Sequence, residues 1–246
     1  MMRPADSMRH VIVAGELSLV RDLAFAHPRV TLRDCFYEQR PLAYAAERGA
    51  TEIVRFLLPL SEPNAAGRRL QITALMWAAQ AGYVDCVELL APRSNVDLRA
   101  KNGFTALMKA ADHGHAACVR ALLPYGGARL RSLHGQETPL WLAARAGSAE
   151  CVRLLLPHSE LAATDSLGQT ALDVALAMAE GVHGTPGHDA CVDLLAIESG
   201  DSGSRQGALA RLGVERLPRA NSAEEASVLQ HSVIAGSGAR AGGRRL

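Results

Sequence analysis

The chain has 246 residues, enough for one large domain or two modest ones. Apolar residues make up 48 % and charged residues 21 %, which predicts a buried core and excludes wholesale disorder. A formal charge of +1 leaves no electrostatic case for a nucleic-acid backbone as partner, and 4 % aromatics argue against base-stacking platforms.

The amino terminus, MMRPADSMRH, is not followed by an apolar run of signal-peptide length. The longest uncharged apolar stretch, residues 71–84, is too short to span roughly 30 Å of hydrocarbon. Five cysteines in a chain long enough to fold without disulfides fit a reducing compartment. Together these features predict a cytoplasmic protein without a membrane partner. Only Lys101 and Lys109 are lysines; the other basic residues are arginines.

In chain order, residues 8–26 (with AGELSLVRDL and Gly15) read as a degenerate opening unit. Better copies follow: PLAYAAERGATEIVRFLL (41–58), TALMWAAQAGYVDCVELL (73–90), TALMKAADHGHAACVRALL (105–123) and TPLWLAARAGSAECVRLLL (138–156). A fifth, split copy runs TALDVALAMAEG (170–181) and GHDACVDLLA (187–196). Leu42, Leu75, Leu107, Leu140 and Leu172 recur at intervals of 33, 32, 33 and 32. Each copy reads as a pair of short antiparallel helices. Thr73, Thr105, Thr138 and Thr170 are placed to cap the first helix, and Pro41 and Pro139 fit its first turn. Gly49, Gly82, Gly114 and Gly147 end it. The second helix carries Val54, Val87, Val119 and Val152 on an apolar stripe and is predicted to stop at Leu58–Pro59, Ala91–Pro92, Leu123–Pro124 and Leu156–Pro157. No single pair can bury that stripe, so neighbouring copies must stack. The fold class is an all-α solenoid.

The pattern T-A/P-L-x-x-A-A-x-x-G-x-x-x-C/I-V-x-x-L-L resembles the ankyrin repeat over residues 8–196. The copies depart from the usual histidine after T-P-L, carrying Met76, Met108, Trp141 and Asp173 among others. Their Cys-Val and Leu-Pro variants resemble ankyrin arrays of some single-celled eukaryotes. The expected organisation is a capping unit at 1–36, five repeats at 37–196 and a mostly disordered tail at 197–246. The fifth repeat carries an insertion near 177–186. The tail contains a capping-box pattern, Ser222-Ala-Glu-Glu225, before a short helix expected at 222–234. The turns before Thr73 and Thr138 lack the glycine two residues upstream that KNGF and SLGQ have, and are expected to be irregular.

Sharper chemistry finds little support. Cys86, Cys118, Cys151 and Cys191 share one register, so successive thiols should lie about a helix-packing distance, roughly 8–10 Å, apart. That spacing suits neither a disulfide nor a common zinc ion, and buried packing is the expected role. His115 and His188 each precede a cysteine by three residues, but repetition marks scaffold rather than catalysis. No P-loop, H-E-x-x-H or G-x-S-x-G occurs. No enzyme activity, cofactor or metal is expected. Met76, Met108 and Trp141 are assigned to the core.

The resemblance implies a concave docking face made of turn tips and of the positions after the alanine pairs. On the tips stand Tyr37, Glu38, Arg40, Lys101, Asn102, Phe104 and Glu137, with Arg69, Ile72, His134, Ser166 and Gln169 in the same row. After the alanine pairs stand Glu47, Arg48, Gln80, Asp112, His113 and Arg145. Phe104 is the leading anchor, as an aromatic expected to be exposed at a tip. Mixed charge fits a protein partner better than a phosphate backbone. The expected function is a non-enzymatic scaffold, monomeric by itself. The alternatives are an adaptor that recruits an effector, such as a kinase or ubiquitin-ligase component, through its tail, and an enzyme with a Cys–His site.

Overall fold

The computed structural model describes residues 4–27, 39–67, 69–181 and 185–198. The chain divides into two units, Met1–Ala208 and Leu209–Leu246, and every described residue belongs to the first. The expected 222–234 helix lies outside the described residues, as do Tyr37, Glu38 and Cys35.

Twelve α-helices pair into six hairpins among the described residues. They are α1 (Pro4–Ala14) with α2 (Leu17–Ala26), α3 (Pro41–Glu47) with α4 (Thr51–Leu57), and α5 (Ala74–Ala81) with α6 (Val84–Leu90). Then come α7 (Ala106–Asp112) with α8 (Ala116–Leu122), α9 (Pro139–Arg145) with α10 (Ala149–Leu155), and α11 (Ala171–Glu180) with α12 (Pro186–Glu198). From the second hairpin onward, the first helices pack on one another in sequence, α3 to α11, and form an inner row. The second helices, α4 to α12, form a parallel outer row.

Most of these helices have seven or eight residues, two turns. Such helices are not stable alone, because nucleation is unfavourable and so few bonds follow. Their ends are therefore tightly specified. The hydroxyls of Thr73, Thr105 and Thr138 accept from the backbone N–H three residues on, at 3.3, 3.3 and 3.2 Å. Thr170 does the same for Asp173, whose carboxylate accepts from the Thr170 N–H at 2.9 Å. This reciprocal box explains why Asp173 stands where other repeats carry a core side chain.

The alanine pairs, the repeated Val54, Val87, Val119 and Val152 and the cysteines of the outer helices are fully buried, as are Met76 and Met108, and Trp141 is nearly so. Leu42, Leu75, Leu107 and Leu140 are buried in register along the stack. Leu172, the same position in the last hairpin, is half-buried.

Two expectations gain detail. The outer α-helices do stop at the proline pairs, ending at Leu57, Leu90, Leu122 and Leu155. The next three residues wind on as a 3-10 turn that contains the proline. Proline has no N–H to extend an α-helix but tolerates the tighter pattern. That pattern closes with bonds such as Ser94 N–H to Ala91 O, 3.3 Å.

The turns before Thr73 and Thr138 differ from the others in a defined way. They are one residue longer. The short tips close from Ala100 N–H to Phe104 O (2.9 Å) and from Asp165 N–H to Gln169 O (3.0 Å). The long ones close from Gly67 N–H to Ile72 O (3.2 Å) and from Ser132 N–H to Glu137 O (2.9 Å). All four keep a left-handed residue two before the capping threonine: Gly103 (φ 82°) and Gly168 (φ 79°), but Gln71 (φ 52°) and Gln136 (φ 55°). The alternation of 33- and 32-residue intervals is this alternation of tip length.

Candidate protein-docking face

The inner row positions most of the sequence-expected residues. Gln80, at the end of α5, accepts from Lys109 Nζ on α7 at 3.0 Å. Asp112, the last residue of α7, pairs with Arg145 at the end of α9. The Arg145 guanidinium lies 5.3 Å from the Trp141 ring centre. His113, exposed, has Nδ1 3.1 Å from Lys109 O and its ring 6.1 Å from that of His115. Gln80, Asp112, His113 and Arg145 thus meet in one polar network across three repeats.

Lys109 is the member that sequence reading missed. It occupies a position held by Trp77 and Leu142 in the flanking copies and is only 7 % exposed. Burial lowers its pKa, with the Asp112 charge acting in the opposite direction. The available signal was its register, one residue past Met108, on the buried side of the helix.

At the first end of the row, Arg48 is exposed, and its guanidinium lies 5.3 Å from the Tyr44 ring centre. Arg9 of α1 lies 5.0 Å from the same ring centre. Glu47 is half-buried. Arg40 pairs with Glu62 at 3.4 Å.

Along the tips, Lys101 and Asn102 are exposed. The Asn102 carboxamide oxygen accepts from Phe104 N–H at 3.2 Å, an Asx-type lock on the turn. Phe104 itself is half-buried rather than fully exposed. Ile72 is buried, so it belongs to the core and not to the face. Glu137 accepts from the Ser132 hydroxyl and is half-buried. Successive tips are stitched together: Lys101 N–H donates to Leu70 O at 2.9 Å, and Ser166 N–H to Gly135 O at 2.8 Å. The Arg99 guanidinium donates to Arg131 O, and that of Arg131 to Thr164 O at 3.0 Å. These two arginines were not singled out from the sequence, although they precede their capping threonines at nearly equal distances.

A family profile described as ankyrin repeats in three copies matches residues 8–99, 61–133 and 126–206. The chain is an ankyrin-repeat protein. Among 471 matching chains of solved structures is the crystal structure of the ankyrin repeat domain of Bcl-3, described as a unique member of the IkappaB protein family. It aligns with a TM-score of 0.67 at 24 % identity, over 80 % of this chain and 87 % of that one. At that identity the likeness is one of fold. A search of curated proteins found none that matches the chain.

In this ankyrin array the cysteines offer little nucleophilicity. Cys86, Cys118, Cys151 and Cys191 are free, buried thiols. Burial pushes their pKa values up, to about 11 for Cys118 and Cys191. The two histidines near them are committed to backbone: His115 Nε2 to Gln80 O and His188 Nε2 to Arg145 O, both at 3.0 Å. No described helix is long and apolar enough to cross a membrane.

Proposed function

We propose that the protein is a non-enzymatic scaffold that docks another protein on the concave face formed by its inner helices and turn tips. In this reading residues 37–196 form the array and 1–36 its capping unit. The observation that carries it is the tip-and-inner-helix geometry. Exposed Arg48, Lys101, Asn102 and His113 stand on a backbone whose tips are hydrogen-bonded to one another. Preorganisation of that kind lowers the entropy lost when a partner binds. The buried, weakly acidic thiols support the same reading against a Cys–His enzyme.

The test is quantitative affinity capture from the native cell with matched triple variants. Arg48→Ala, Lys101→Ala and His113→Ala together should lose the partner. Asp85→Ala, Glu88→Ala and Asp193→Ala, exposed on the outer helices, should keep it. Retention by the first set, with both sets melting like the parent chain, would refute the assigned face.

A further inference from the structure

We propose that Lys101 is the one side-chain amine of these 246 residues open to acyl transfer on the folded protein, as the acceptor of an acetyl group or of an isopeptide-linked protein tag.

The chain holds only two lysines, and the fold treats them oppositely. Lys109 sits in the inner row at 7 % exposure, with its amine donating to Gln80 Oε1 and with α5 and α9 packed on either side of α7. That low exposure and the bond to Gln80 restrict the approach of an acyl donor to the Lys109 nitrogen. Lys101 is exposed on a tip and forms no ion pair with a described residue. The tip is held by the Lys101 N–H bond to Leu70 O, by the Asn102–Phe104 turn and by the left-handed Gly103. The backbone that carries the amine is therefore held at a defined place, while the amine itself stands in solvent.

Basicity alone would favour the other lysine, since burial lowers the Lys109 pKa and raises its neutral fraction. Access decides against it. In the reaction, neutral Lys101 Nζ attacks the carbonyl carbon of an acyl thioester. The N–C bond forms, the C–S bond breaks, and the departing thiolate takes up the proton shed by nitrogen. The product amide is uncharged, so the tip bearing Asn102 and Phe104 loses its positive charge. An effect on docking rests on the reading above; the acceptor assignment does not.

The full chain and its Lys101→Arg variant would be treated at neutral pH with a small acetyl thioester, native and in urea, and the acetylated lysines mapped by peptide mass. Native Lys101 should react at least roughly tenfold faster than Lys109, because the Lys109 amine is bonded to Gln80 and far less exposed. In urea the two rates should converge, and native Lys101→Arg should gain almost no lysine-linked acetyl. Comparable rates at both lysines in the native protein, or undiminished lysine acetylation of native Lys101→Arg, would overturn the assignment.

Discussion

Gly82 meets two demands at one position. Its φ of 82° ends α5 in the left-handed region. A Cβ there would also lie 2.7 Å from the His115 ring, which packs against it and bonds to Gln80 O. Gly168 has φ 79° with nothing within 4 Å of the same atom, so only the backbone term applies. Gly168→Ala should therefore cost about 1 kcal/mol in urea unfolding, and Gly82→Ala about 3 kcal/mol or more. Equal losses would show that the ring contact contributes nothing. The candidate face is also partly legible at this scale. Register alone placed Gln80, Asp112, His113 and Arg145 after the alanine pairs. It could not show that Arg145 reaches back to Asp112, because that depends on rotamers and on the spacing between helices. Arg145 consequently bears on stability, by about 1 kcal/mol from a partly exposed ion pair and the ring beneath it.

The hairpin is the smallest element with an apolar stripe, and that stripe is fully covered only with a neighbour on each side. Leu107 is covered by hairpins before and after it, whereas Leu172 in the last described hairpin remains half-buried. Leu107→Ala should cost about 2–5 kcal/mol and Leu172→Ala about 1 kcal/mol, read from urea midpoints. A larger loss at Leu172 would mean that something further covers it. The tips belong to this scale too. Glutamine in two left-handed positions looked like a broken turn, because glycine is the usual signal. The closing hydrogen bonds show an intact turn with one added residue, and a hydrogen-bond partner cannot be read from residue type.

Across the whole array, the buried thiols set an alkaline limit. Cys118 and Cys191 have folded pKa values near 11 against an ordinary 9.0, and Cys86 and Cys151 are raised as well. Between about pH 9 and 11 the folded state holds more thiol protons than the unfolded state, so stability falls as pH rises. Lys109 acts oppositely, since its lowered pKa makes the unfolded chain the better proton binder up to its usual 10.5. A two-unit thiol shift, as at Cys118 and Cys191, is worth about 3 kcal/mol, and Cys86 and Cys151 shift in the same direction, so the thiols set the sign of the slope. The urea midpoint should drop across this window, and the slope should flatten in the Cys118→Ala, Cys191→Ala double variant. A midpoint independent of pH from 9 to 11 would contradict the burial of these groups.

The linear order of residues by itself determined the unit, its helix caps, the glycine after each inner helix and the need for stacking. Each of these follows from local chemistry repeated at a fixed period. Only the tertiary structure decided that the Lys109 amine reaches Gln80, that Phe104 is half-covered, and that the polar side chains of the inner row bind one another. Those outcomes depend on how closely neighbouring hairpins approach, a distance set by packing between repeats and absent from any one of them.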